Sequence, residues 1–350
     1  MFDPNALLRT HLQKLVPYSS ARDDYKGNEG VFLDANENPL GSITEEDWNR
    51  YPDPYQKELK ARIAQIKGVR SENIFLGNGS DEPIDLLFRA FCEQGKDNVI
   101  INPPTYGMYK VSADINNVEA REVLLTADYD LDVEAIKSAI DENTKIVFIC
   151  SPNNPTGNDV SLDKIEEVLR FFNGIVLVDE AYVDFTSRQS FTLRLEEFPN
   201  LLVLQTFSKA WGLAALRLGM AFASEEILAI LNKIKAPYNL SGLVQKTVLK
   251  ALENLEKKDK MVDQILKNRE SLGEALKQTP MIKTICPTDS NFFLVKLENA
   301  SEVYKKLIEE KIILRDRSKV ALCKGGIRIT VGTEKENELL IDALKNLSEK

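Results

Sequence analysis

Lys209 lies in the stretch QTFSKAWGLAALRLG (205–219), directly after Ser208 and eight positions before Arg217. A bare ammonium is costly among the apolar residues that follow, because a charge leaves water only when it is paired or neutralised. Condensation with an aldehyde to a Schiff base is one way for a lysine to stop being a cation. Arg217, in mostly apolar surroundings, needs an anion, either a phosphate or the carboxylate of an Asp or Glu. The single histidine, His11, is far from this stretch in sequence, so the lysine would have to move protons itself.

Other chemically capable side chains follow short apolar runs. Gly79, Ser80 and Asp81 come after IFLGN, and Asn153 and Asn154 after VFICSP; Asp179 and Tyr182 close IVLVDEAY, and Thr206 and Ser208 follow LLVLQ. In open parallel sheets, ligands bind outside the carboxyl ends of the strands, so four strands would deliver these groups to one edge. Gly79 and Ser80, ahead of a helical stretch, suit either a plain N-cap or a phosphate facing free backbone N–H groups. Asp179 is either a capping or ion-paired carboxylate or the counter-ion of a protonated ring nitrogen, and burial would raise its pKa unless donors oppose it. Asn154 reads as turn chemistry within SPNNPTG, and Tyr106 as a packed aromatic or a surface for a planar ring. Together, a lysine, hydroxyls with an arginine, a glycine-rich helix start, a carboxylate and an aromatic meet the needs of pyridoxal phosphate.

The elements that must hold these residues are legible as punctuation. NIFLGN, NVIIN, KIVFICS, GIVLVDEAY, LLVLQTFS and LGMAFA are apolar runs bounded by polar, Gly or Pro residues. LDVEAIKSAIDE and SLDKIEEVLRFFNG read as helices, the second with Ser161 as N-cap and Gly174 beyond its end. Near-continuous apolar strands alternating with helices predict an α/β fold whose mostly parallel sheet is covered on both faces. Beyond KAPYNLSG, residues 242–278 read as long helical material, followed by strand-like SNFFLVKL, helical SEVYKKLIEEK, and strand-like IILRD and GIRITVG. This predicts a large domain over 46–240 and a smaller α+β domain from 1–45 and 241–350. The N-terminal arm is expected on the second lobe or across a subunit contact.

Composition narrows the function classes. The 350 residues are long enough for two lobes. A net charge of −9 lacks the basic footprint of non-specific nucleic-acid binding. The four cysteines, Cys92, Cys150, Cys286 and Cys323, form no CxxC pair, which suggests neither a zinc site nor a disulfide framework and fits a reducing compartment. No stretch approaches a membrane span, and the N-terminus lacks a continuous apolar signal core, so a cytoplasmic location is expected. Gly77-x-Gly79 is followed three on by Glu82, and no GK[ST] occurs, so nucleotide-binding fingerprints are absent.

SPNNPTG, VDEAY and SKAWGLAALRLG resemble, in order and spacing, the pyridoxal-phosphate-dependent aminotransferases of the aspartate aminotransferase fold, fold type I. LVPYSSAR, LDANENPLG, RYPDP and LRDRS…GGIRITVGT narrow the likeness to the histidinol-phosphate aminotransferase group within that family, over nearly the whole chain. The resemblance implies that Lys209 forms the Schiff base and moves the proton, that Asp179 pairs with the pyridine nitrogen, and that Asn154 and Tyr182 bond the ring oxygen. It implies that Tyr106 stacks on the ring and that Gly79, Ser80, Thr206, Ser208 and Arg217 hold the phosphate. Asp81 would orient that loop, and Tyr51 would serve the neighbouring subunit's coenzyme phosphate in a homodimer with shared sites.

For substrates, the resemblance implies L-histidinol phosphate and 2-oxoglutarate, giving imidazole-acetol phosphate and glutamate. One pocket would then grip a phosphomonoester and a dicarboxylate in turn, work that suits a guanidinium fork. Arg328, Arg315, Tyr18 and Asn36 match the group's substrate-binding positions. Read without the resemblance, they are strand-edge ion pairs and turn packing. Ser42, where relatives often have proline, falls in a turn. Rival readings are an aromatic-amino-acid aminotransferase, a threonine-phosphate decarboxylase, or a non-catalytic binding protein on the same fold. Glutamate formation against carbon dioxide release separates the first readings; a chain left colourless by added pyridoxal phosphate would favour the last.

Overall fold

Six of the apolar runs become strands of a seven-stranded sheet in the computed structural model, which describes residues 2–19 and 29–348. The strands are β1 (Ile74–Asn78), β2 (Asn98–Ile101), β3 (Glu119–Glu122), β4 (Thr144–Cys150), β5 (Ile175–Asp179), β6 (Leu201–Thr206) and β7 (Leu218–Ala223), ordered β1-β7-β6-β5-β4-β2-β3. Pairing is parallel from β6 to β3, whereas β7 runs antiparallel to both β6 and β1. Six strands therefore end, and β7 alone begins, along the same edge.

The period of two in a strand sorts each apolar run between two cores. Val147, Ile149, Val176, Val178, Leu201 and Val203 face one cluster, with Ile63, Ile136 and Ile165 from helices Lys57–Lys67, Val133–Ala139 and Leu162–Phe171. Their neighbours Ile146, Phe148, Ile175, Leu177, Leu202 and Leu204 face the other, under Leu87, Tyr109 and Leu231 from helices Asp81–Phe91, Met108–Ile115 and Glu225–Ile234. Full burial of each Val, Leu or Ile stabilises by about 1.5–3 kcal/mol, so both faces must be apolar and both are. Ser161 holds the expected cap position, but its hydroxyl donates to Asp130 Oδ2 at 2.7 Å and no side-chain cap bond forms.

The second lobe carries an antiparallel sheet of β8 (Ile282–Ile285), β9 (Phe292–Leu297), β10 (Arg315–Asp316) and β11 (Gly326–Thr330), ordered β10-β11-β9-β8. Phe293, Val295, Ile327 and Ile329 pack on Leu272, Leu276, Leu340 and Leu344 of helices Leu255–Lys277 and Glu334–Ser348. Phe292 and Leu294 point the other way, into the large lobe's core. With Ile327 and Ile329 committed to the lobe's interior, Arg328 between them faces the large sheet. The helical material read over 242–278 is two helices, Gly242–Ala251 and Leu255–Lys277.

The N-terminal arm departs from expectation over its first residues. Leu8 joins the large sheet's second core, the Arg9 N–H donates to Ala90 O at 3.0 Å, and Lys233 Nζ donates to Leu12 O at 2.8 Å. An apolar leucine with a helix-end carbonyl in reach finds its cover there rather than on the second lobe. Among the described residues, no helix is long and apolar enough to cross a membrane.

Candidate active site

Where the strands end, a cavity of about 820 Å³ opens between the large sheet and the small one. Eleven of the expected residues line it: Ser80, Tyr106, Asn154, Asp179, Tyr182, Thr206, Ser208, Lys209, Arg217, Arg315 and Arg328. Gly79 sits immediately behind Ser80 and Arg217.

Lys209 follows β6 three residues after Thr206 closes the strand, and its Nζ stands 5.5 Å from the Tyr182 ring centroid. Loss of hydration pushes its pKa down first, Arg328 adds to that, and Asp179 opposes. The amine is thereby brought toward its neutral, nucleophilic form.

Asp179 ends β5 almost wholly buried. Its Oδ2 accepts from the Tyr109 hydroxyl at 2.7 Å and its Oδ1 from the Ala181 N–H at 3.0 Å. Burial raises the carboxyl to about 6, while the two donors hold it down. A fixed cation opposite would restore full ionisation, as a protonated ring nitrogen does.

At the other end lies an anion cradle. The Gly79 N–H donates to Arg217 O at 2.7 Å, closing β1 onto the start of β7. Gly79 has φ +74°, and a Cβ there would stand 2.7 Å from Arg217 Nη2, so only glycine lets the guanidinium lie across the turn. Gly219 is as constrained, since its Cβ would collide with the Ser80 backbone N. The Ser208 N–H donates to Thr206 Oγ1 at 3.0 Å, and Arg217 Nη1 reaches Ser208 Oγ at 3.5 Å. Hydroxyls, an arginine and the start of helix Asp81–Phe91 therefore share one wall, the donor set a phosphate needs. Asp81 engages both neighbours instead: its Oδ1 accepts from Tyr106 OH at 3.0 Å and its Oδ2 lies 3.7 Å from Arg217 Nη2.

The third wall is cationic. Arg328 Nη1 donates to Asn154 Oδ1, its guanidinium lies 5.2 Å over the Phe292 ring, and Arg315 is its direct cross-strand neighbour. An amine, an acid for a ring nitrogen, a flat phenol and a phosphate cradle thus occur in one cavity and fit pyridoxal phosphate.

Three expected residues stay outside. Tyr18 and Asn36 are exposed and line no part of the cavity, and Tyr51, also exposed, stacks on Tyr238 with centroids 4.5 Å apart. Their side chains lie on an N-terminal segment whose Val31, Leu33, Leu40 and Ile43 are also open to solvent. Two site residues were not read from the sequence. Tyr109, in TYGMY, lies three positions after Tyr106, and the two rings meet edge to face with centroids 5.5 Å apart. Arg317, two after Arg315, shares that residue's side of the strand.

The sequence matches the family described as aminotransferase class I and II over residues 24–344. A histidinol-phosphate aminotransferase of Cytophaga hutchinsonii is 56% identical over 98% of this chain and 99% of its own length. That of Christiangramia forsetii is 51% identical over 99% and 98%. Among solved structures, the histidinol-phosphate aminotransferase from Clostridium acetobutylicum matches with a TM-score of 0.80 at 25% identity, covering 86% of this chain and 91% of that one. The Sinorhizobium meliloti protein, solved in complex with pyridoxal-5'-phosphate, shares the fold with a TM-score of 0.79 at 24% identity over 90% of each chain.

Proposed function

The chain belongs to the class I and II aminotransferases, and on that premise we propose that it transfers the amino group of L-histidinol phosphate to 2-oxoglutarate, in histidine biosynthesis. The observation that carries this reading is a single cavity joining Lys209 and Asp179 to the arginine wall of Arg315 and Arg328. Pyridoxal phosphate supplies the electron sink that makes the substrate Cα–H acidic. Asp179 keeps the ring nitrogen protonated, and Asn154 and Tyr182 donate to the ring oxygen. Tyr106 covers one ring face. Gly79, Ser80, Thr206, Ser208 and Arg217 hold the phosphate. Lys209 would hold the coenzyme through its amine and would be the group that moves the substrate's Cα proton.

The substrate assignment follows from the arginines. The phosphate of one substrate and a carboxylate of the other take turns against Arg328 and Arg315, each offering oxygens that a planar fork meets in pairs. Steady-state assays with histidinol phosphate, phenylalanine and threonine phosphate test this: glutamate should form fastest with histidinol phosphate. Carbon dioxide from threonine phosphate, or preference for phenylalanine, would overturn it.

The working unit is a homodimer in this reading. Tyr51 reaches the partner's coenzyme phosphate, and Tyr18 and Asn36 complete the substrate pocket from a segment whose apolar side chains stand uncovered in one chain. Light scattering should give twice the mass of the chain. A large domain over 46–240 would carry the coenzyme, and 241–350 with the N-terminal arm would carry the substrate arginines. Four free cysteines support a cytoplasmic setting.

A further inference from the structure

We infer that Arg317 is a specificity-determining residue that makes the arginine wall prefer a phosphomonoester to a carboxylate. The inference rests on the substrate reading above and deepens it.

Arg315 and Arg328 face each other directly across β10 and β11. Like charges in that position repel, so the pair persists only where an anion is meant to lie. Arg317 adds a third guanidinium to the same wall. Its N–H donates to Gly326 O at 2.8 Å, which continues the β10–β11 ladder and repeats the orientation of Arg315 two residues earlier. Asp316 between them points away, accepting from the Ser318 N–H at 2.8 Å and the Ser301 hydroxyl at 2.9 Å. Arg317 Nε is buried without a hydrogen-bond partner, and among the described residues none of the three arginines is paired with a carboxylate. A buried donor left open is expensive, and since Arg317 lines the cavity its guanidinium has unspent donor capacity for an anion there.

The two substrates differ in what they offer this wall. A phosphomonoester carries about −1.5 to −2 at neutral pH on three terminal oxygens. A carboxylate carries one charge on two oxygens, which Arg328 and Arg315 already satisfy. The third guanidinium therefore has work only with phosphate. No signal in the residue types alone singles it out; its position two after Arg315 does.

The test compares holoenzyme variants in both half-reactions. Arg317→Gln should raise KM for histidinol phosphate about tenfold, the loss of one charge-assisted hydrogen bond, while KM for 2-oxoglutarate changes less than about threefold. Arg317→Lys, which keeps the charge and loses the fork, should fall between. Inhibition of the 2-oxoglutarate half-reaction by inorganic phosphate should weaken about tenfold in the glutamine variant, a binding readout separate from turnover. Equal changes for both substrates, or none, overturn the inference, and should Arg317→Gln not fold, the lysine variant decides by the same ratio. Wild-type turnover is measured first. If histidinol phosphate is not a substrate at all, the functional reading falls and takes this inference with it; if it is, the ratio judges Arg317 alone.

Discussion

The Tyr109 hydroxyl donates to Asp179 Oδ2 across 2.7 Å, from a ring with no exposed surface. The ring is fixed by stacking on Phe148, with centroids 4.8 Å apart, and by an edge contact with Tyr106 at 5.5 Å. Asp179 and Tyr106, the residues proposed to serve the ring nitrogen and to cover the ring, are therefore aligned through one buried side chain. Tyr109→Phe should leave the packing in place and remove one donor to the carboxylate, worth about 1.5–3 kcal/mol for a charged acceptor. Asp179 then titrates higher. The expected outcome is a shifted pH titration of the bound coenzyme's visible absorption and a kcat about tenfold lower. A normal titration with lower kcat would make Tyr109 a packing residue only.

Asp179 also makes the stability of the coenzyme-free protein depend on pH. Its carboxyl is raised to about 6 in the folded chain by burial, above its value of roughly 3.9 when unfolded. The folded state thus holds the proton more tightly. That contribution is fully present below about pH 4 and is lost as pH rises through about 6, a change of about 3 kcal/mol. Coenzyme-free Asp179→Asn should therefore gain on the wild type between those pH values in urea unfolding. An unchanged difference across the window would show that the carboxyl is already balanced without the coenzyme.

Lys209→Ala should lower kcat by at least about a thousandfold, because the proton carrier and the covalent anchor disappear together. The phosphate cradle is untouched, so the coenzyme should still co-elute in gel filtration, bound without a covalent link. Borohydride reduction of the wild type followed by peptide mapping should place the pyridoxyl group on Lys209. Sustained multiple turnover by the variant without added amine would contradict the assignment.

Arg328→Ala should raise KM in both half-reactions, by about tenfold or more each, since both substrates present an anion to it. The same change also frees Asn154 Oδ1, its acceptor, so the coenzyme spectrum should shift slightly. An effect confined to one substrate would refute a shared pocket.

Much of this arrangement is written plainly in the residues. The runs IVFIC, IVLV and LLVL are apolar at every position because both faces of β4, β5 and β6 are covered. β3, Glu119-Ala-Arg-Glu122, escaped notice because an edge strand needs no apolar run and its charges discourage pairing with another chain. The site residues were visible where strand ends meet polar punctuation. Tyr109 was not, because a tyrosine on an amphipathic helix is indistinguishable from ordinary core until its hydroxyl is seen against Asp179. The place of the N-terminal arm was equally hidden: Leu8 belongs to a core set by strands some seventy residues later.

The reversed direction of β7 makes the short hairpin between β6 and β7 a gauge. It starts beside the amine and finishes at the guanidinium, and its two ends are locked by the ladder, with Thr206 opposite Gly219. Any insertion there would have to bulge outward as a blister, or else change the spacing between Lys209 and Arg217. The loop can vary in what it is made of far more freely than in how long it is.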